Sequence, residues 1–189
     1  MSSPIRILGL SGSLRAGSFN TAALRAAQRQ APDGVEVDIA TLHGIPLYDG
    51  DLEAEQGIPA PVLALRARIL AADGLLLATP EYNNGIPGVL KNAIDWLSRP
   101  MPDDGPRTFA GRRLAILGAS PGGFGTVLAQ AAWLPVLRSL GVRVWTGRSL
   151  MLSRVHQAIG EDGDVADPAA LENIAALVAA FSESLRTAD

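Results

Sequence analysis

The chain has 189 residues, one domain's worth, and 48% of them are hydrophobic against 19% charged, which excludes wholesale disorder. The net charge of -3 lacks the basic excess of a nucleic-acid binder, and the fifteen arginines and one lysine are scattered along the chain. There is no cysteine, so disulfides, thiolate metal sites and cysteine nucleophiles are excluded together. After Met1-Ser-Ser-Pro-Ile-Arg the apolar run reaches only Leu10, too short for a signal peptide. No apolar stretch is long enough to span a bilayer, so a cytoplasmic protein without a membrane partner is expected.

No internal repeat and no long linker divides the chain, and a single domain over 1–189 is expected. Strands are predicted at 5–10, 35–40, 74–79, 114–119 and 142–145. The runs Leu75-Leu-Leu-Ala78 and Leu114-Ala-Ile-Leu117 are apolar without alternation, the pattern of strands buried on both faces. Helices are predicted at 20–30, 61–72, 89–97, 126–140 and 168–185. Asp167 supplies an N-cap for the last of these and Pro168 suits its first turn, while Gly141 is placed to stop the fourth. Strands alternating with helices imply an α/β three-layer sandwich. Such a sheet binds ligands beyond the carboxyl ends of its strands, so the loops after the first, third and fourth strands become the candidates.

The first loop, Gly9 to Asn20, combines glycines, hydroxyls and Arg15 ahead of a helix. Its backbone can approach a ligand closely, the helix N-terminus favours an anion, and Arg15 offers a fork suited to phosphate. It lacks the Gly-Lys-Ser/Thr ending of a P-loop and the Gly-x-Gly-x-x-Gly dinucleotide fingerprint. The plainer alternative is a turn in which Ser18 or Asn20 caps the helix. The second loop, Thr79 to Gly88, carries Glu81, Tyr82, Asn83 and Asn84 among chain breakers. Tyr82 can line the edge of a planar ligand. The plainer alternative is a turn with a positive φ at Asn84-Gly85. The third, Ser120-Pro-Gly-Gly-Phe-Gly-Thr126, lets backbone N–H groups meet a flat ligand.

Four motifs in chain order resemble one known family: Gly12-Ser-Leu-Arg-Ala-Gly-Ser-Phe-Asn20, Pro80-Glu-Tyr-Asn83, Pro87-Gly-Val-Leu-Lys-Asn-Ala-Ile-Asp-Trp-Leu-Ser98 and Ser120-Pro-Gly-Gly-Phe-Gly-Thr126. The chain resembles the NADPH-dependent FMN reductases of flavodoxin-like fold, a group that includes chromate, quinone and azo-dye reductases. The resemblance implies a five-stranded parallel sheet of order 2-1-3-4-5. It implies that Ser13, Arg15, Ser18, Phe19 and Asn20 hold the FMN phosphate, with Gly12 among the cofactor-binding residues. Pro80, Glu81, Tyr82 and Asn83 border the ribityl chain and isoalloxazine, and Ser120, Gly122 and Gly123 flank the ring. The implied reaction is hydride transfer in two halves, from NADPH or NADH to FMN and then to a small acceptor such as a quinone, azo compound, chromate or free flavin. The flavin carries the chemistry, so no catalytic side chain and no metal ligand is named. A homodimer or homotetramer is implied as well.

A non-enzymatic carrier of flavodoxin type is the main rival; such carriers tend to be strongly acidic, and -3 counts against it. A cysteine phosphatase has no thiol to use, and a receiver domain would want an acid where Thr79-Pro80 stands. An interaction module with a vestigial loop is the last alternative. His43 and His156 are expected away from the three loops, in structural or surface roles. Lys91 and Asp95 are spaced to pair on one helix face. Trp96 reads equally as core or as a contact to a partner chain, and Trp133 and Trp145 as packing. The proline-rich stretch 100–106 has no assigned role.

Overall fold

The computed structural model describes residues 3–101 and 105–187; Pro102, Asp103 and Asp104 of the proline-rich stretch lie outside them. The chain runs β1 (Ile5–Ser11), α1 (Phe19–Arg29), β2 (Val35–Ala40), α2 (Gly50–Gln56), α3 (Ala60–Ala71), β3 (Gly74–Ala78), α4 (Gly88–Leu97), β4 (Arg113–Ala119), α5 (Val127–Ser139), β5 (Arg143–Val144), β6 (Leu150–Leu152) and α6 (Pro168–Arg186). The sheet is parallel, in the order β2-β1-β3-β4-β5. This is the flavodoxin-like order expected above.

Strand periodicity sorts the core into two layers. Leu75 and Leu77 of β3 face a layer with Val62, Leu65 and Ile69 of α3, Leu90 and Ile94 of α4, and Trp133 of α5. Leu76 and Ala78 face the other, with Ala22, Ala23 and Leu24 of α1 and Ile174, Val178 and Phe181 of α6. All five β3 residues are buried, which is why that run shows no alternation. Trp96 and Trp133 are both fully buried, and each finds a partner for its indole N–H, the Pro46 carbonyl at 3.0 Å and Thr79 Oγ1 at 3.0 Å. Trp96 is therefore core. Trp145 packs on Phe181 with ring centroids 5.5 Å apart.

The predicted caps hold. Asp167 accepts a 2.8 Å bond from the Ala170 N–H at the start of α6. Gly141, at φ 74°, ends α5, with Val142 N–H bonded to the Leu137 carbonyl and Gly141 N–H to that of Arg138. Lys91 and Asp95 pair at 2.6 Å.

Two elements were not foreseen. The fifth strand position is filled in two pieces: β5 pairs with Arg113 and Leu114, and β6 pairs with Leu117 to Ala119. Between them the chain leaves the sheet edge where Trp145 turns onto Phe181, and Gly147 passes so close that a side chain there would run into the Trp145 indole. Helix α2 buries none of its residues. It has no apolar stripe to betray it, and stands on an Asp49 cap and the positive φ of Gly57. Among the described residues no helix is long and apolar enough to cross a membrane.

Candidate functional site at the carboxyl edge of the sheet

Parallel strands bring the ends of β1, β3 and β4 to one edge. Gly12 N–H donates to the Ala78 carbonyl at 2.9 Å, so loop one begins flush against the end of β3. A Cβ on Gly12 would collide with Leu90, Pro80 and the Ala78 carbonyl. Gly12 thus sets the floor of the site through packing.

Loop one folds on its own polar groups. Ser18 is the N-cap of α1, its Oγ accepting from Thr21 N–H at 3.2 Å. The N–H groups of Phe19 and Asn20 have no intrahelical acceptor and carry the positive end of the helix dipole. Ser13 Oγ accepts from Arg15 N–H at 3.2 Å and lies 3.4 Å from Tyr82 Oη, where loop two meets loop one. The Arg15 guanidinium sits 6.0 Å above the Phe19 ring, exposed and without an acidic partner among the described residues. His43 is not remote from this loop. Its Nε2 lies 3.1 Å from the Leu14 carbonyl, because the turn after β2 folds back beside β1.

Asn20 performs a task that its spacing only hints at. Its side-chain amide donates to the Ala119 carbonyl at 2.9 Å and accepts from Ala119 N–H at 3.0 Å. The residue is 3% exposed. One side chain therefore stitches the start of α1 to the end of β4, fixing loops one and three relative to each other.

In loop two, Tyr82 and Gly85 exchange both backbone bonds around Asn83 and Asn84, which take φ of 49° and 60°. This is a two-residue primed turn, and its left-handed positions are the two asparagines; Gly85 has no positive φ. The Glu81 carboxylate is engaged by the scaffold. Its Oε2 accepts from Leu128 N–H and Ala129 N–H, both at 2.9 Å, closing the N-terminus of α5, where Thr126 makes no side-chain cap. The expected cost of Glu81→Ala is about 1–2 kcal/mol, a carboxylate cap plus its dipole interaction. Urea denaturation of the protein without added flavin checks it; an unchanged midpoint would remove the capping role.

Loop three is tied down from a segment that carried no sequence signal. Ser120 N–H donates to the Leu152 carbonyl at 3.0 Å, Val155 N–H to that of Ser120 at 3.1 Å and Arg154 N–H to that of Gly122 at 2.9 Å. Strand β6 and the helical turn at Val155–Gln157 are thus the outer wall of loop three, and His156 stands on that wall. A Cβ on Gly118 would strike the Thr126 side chain, so β4 and the start of α5 can touch only at glycine.

The three loops enclose one cleft. Ser13, Arg15, Ser18, Phe19, Asn20, Pro80, Glu81, Tyr82 and Ser120 line it, together with Ala119 and Pro121. Gly12 lies beneath it, Asn83 at the tip of the hairpin, and Gly122 and Gly123 along the exposed lip. A larger groove at the other edge of the sheet, between Ser98–Met101, Gly105–Phe109 and Ser139–Leu140, touches none of these loops. The helices that reach it do so with their C-terminal ends, so it offers an anion no helix N-terminus.

The cleft fits a phosphorylated planar group. Donors and one cation converge at loop one, and the single acid among the three loops, Glu81, is held by α5. At Gly17 and Gly123 a Cβ would meet nothing within 4 Å, so protein packing does not claim that space.

The sequence profile described as NADPH-dependent FMN reductase matches residues 5–157. The chain belongs to the NADPH-dependent FMN reductase family. It is 47% identical over 174 residues to an NAD(P)H-dependent FMN reductase of Pseudomonas aeruginosa, covering 92% of this chain and 91% of the relative. It is 37% identical over 188 residues to a quinone reductase of Escherichia coli strain K12, with 98% of each covered. Among solved structures, a flavoenzyme NAD(P)H:(acceptor) oxidoreductase from Paracoccus denitrificans matches with a TM-score of 0.78 and 32% identity over 96% of this chain and 97% of that one. Membership in the FMN reductase family makes this an oxidoreductase of flavin and NAD(P)H, and decides against the electron-carrier reading.

Proposed function

We propose that this FMN reductase family member takes electrons from NAD(P)H through FMN held in the loop cleft and delivers them to a small planar acceptor of the quinone class. The single observation that carries the reading is the convergence of three loops, from β1, β3 and β4, on one cleft whose only acid is turned into a helix cap. Arg15, Ser13 and the Phe19 and Asn20 N–H groups hold the FMN phosphate as a dianion. In this reading Gly122 and Gly123 flank the ring, and glycine lets its plane approach the backbone; the Gly122 N–H already donates to Ser120 Oγ at 3.0 Å. FMN supplies the hydride-accepting ring, and the chain supplies its position and polarity. Two curated relatives aligned over most of this chain are named as quinone reductases, from Escherichia coli and, as a 2-hydroxy-1,4-benzoquinone reductase, from Burkholderia. Steady-state oxidation of NADPH and of NADH with a benzoquinone, an azo dye and chromate in parallel tests the acceptor class. A quinone turned over no faster than chromate would overturn it.

Tyr82 stands at the mouth of the cleft, 46% exposed, with one long contact to Ser13. Tyr82→Ala is expected to lower quinone turnover several-fold while moving the thermal midpoint by only about 1–2 °C, as for a surface residue. A collapse in thermal stability would make Tyr82 a structural residue instead.

The protein also works as a homo-oligomer in this reading. The outward face of α5 presents Val127, Leu128 and Leu134, and Phe124, just before it, is 85% exposed. A contiguous apolar helix face of this kind is the signature of a covered surface. Sedimentation velocity is expected to give a dimer or tetramer; a monomer at micromolar concentration would contradict it. A cytoplasmic location is part of the same proposal, supported by the chemistry of the donor, a cytoplasmic reductant.

A further inference from the structure

The rim of the cleft is electropositive on a chain whose net charge is -3. Residues 9–20, 79–88, 120–126 and 150–158 hold one acid, Glu81, whose carboxylate is bonded to α5. They hold two arginines, Arg15 and Arg154. The FMN reading uses Arg15. It leaves Arg154 without a task.

Arg154 occupies an unusual place for an arginine. Its φ and ψ are 47° and 34°, the left-handed region. A residue with a Cβ is disfavoured there, and glycine would be free of that cost. Three backbone bonds hold the segment against loop three, one of them from Arg154 N–H to the Gly122 carbonyl at 2.9 Å. The side chain is exposed and has no acidic partner among the described residues. The two arginines stand on different segments: Arg154 is anchored to loop three at Gly122, and Arg15 lies on loop one. Arg15 is folded over Phe19 on its own loop. Two cationic points, Arg15 on loop one and Arg154 beside loop three, suit two separate anions.

We propose that Arg154 recognises a phosphate of the nicotinamide dinucleotide donor, steering it to the loop-three side of the cleft. The inference rests on the FMN reading, which places one phosphate at Arg15. Of the two diffusible substrates, the dinucleotide carries phosphates and a quinone is neutral. A guanidinium fork matches a phosphate bidentately, and an unpaired cation near a cleft whose one acid is bonded to α5 also raises the encounter rate of an anion. The sustained left-handed backbone is the outlier that points to a task for this side chain.

Arg154→Gly tests it cleanly, because glycine suits the observed φ and the fold should melt no lower than the parent. Both proteins are reconstituted with FMN, and bound flavin is measured by visible absorption. Anaerobic bleaching is then followed by stopped flow against NADPH and, separately, NADH. Unchanged flavin content with the half-saturating donor concentration raised about five- to tenfold is expected. A rise for NADPH alone assigns Arg154 to the 2′-phosphate, and a rise for both donors to the pyrophosphate; either sustains the proposal. Arg154→Lys, which keeps the charge and loses the fork, should fall between. Half-saturation unchanged for both donors in a flavin-loaded variant would overturn the proposal, as would loss of flavin with donor saturation intact. A parent protein that takes up no FMN would overturn the FMN reading and this inference with it.

Discussion

Replacing Asn20 by alanine is expected to destabilise the protein by about 2–4 kcal/mol, the largest stability effect among the site residues. The amide is buried, and both of its bonds go to Ala119, one to the N–H and one to the carbonyl. Alanine leaves that donor and that acceptor without their partner, and an orphaned buried group costs about 1–3 kcal/mol. For a chain of this length the loss corresponds to a fall of roughly 5–15 °C in thermal midpoint. Ser18→Ala is the natural comparison: it removes one cap bond to Thr21 N–H and should cost about 1 kcal/mol. Urea denaturation without added flavin separates the two. Equal losses would mean that Asn20 is only another cap residue. The functional consequence follows from the same geometry, since unstitching α1 from β4 lets loops one and three drift apart and weakens flavin binding without removing a ligand contact.

Arg15→Ala is expected to have the opposite profile, a large loss of FMN affinity with little loss of stability. Its side chain is exposed, has no salt bridge among the described residues, and packs only over Phe19. A charge-assisted bond to phosphate contributes about 1.5–3 kcal/mol, so the FMN dissociation constant should rise about 10- to 100-fold. Riboflavin provides the internal control. It lacks the phosphate, so its affinity should be nearly the same in parent and variant. A titration in which FMN and riboflavin weaken together would move Arg15 from the phosphate to the ring or to the scaffold.

Much of this site was legible in the sequence because it depends on which residue types follow which strands. The unbroken apolar run at Leu75–Leu77 announced a strand covered on both faces, and that alone placed the Pro80–Asn83 loop at the carboxyl edge. The loops after β1 and β4 followed by the same logic. What the sequence concealed was the direction in which side chains turn. Glu81 falls inside the Pro80–Asn83 motif, yet its carboxylate caps α5, a choice made by the distance between loop two and a helix 47 residues later. Asn20 and Ser18 sit in loop one, and the cap alternative raised for them is realised by Ser18, with Asn20 doing more. His43 was expected away from the loops because it follows the second strand; the parallel pairing of β2 with β1 is what brings it to Leu14. Strand β6 escaped because three residues carry no period, and its identity comes entirely from pairing with β4. The turn at Asn83-Asn84 was read one residue late, since asparagine adopts the left-handed region nearly as readily as the glycine that follows it.

The central claim is that the loop cleft holds FMN and passes electrons from a nicotinamide donor through it. The most direct test is the visible absorption spectrum of the purified protein, reconstituted with FMN and freed of excess, before and after anaerobic addition of NADPH and then NADH. A bound-flavin spectrum that bleaches within the mixing time of a cuvette, and returns on adding a quinone, is the predicted result. A protein that retains no flavin, or a bound flavin that neither donor bleaches, would contradict it.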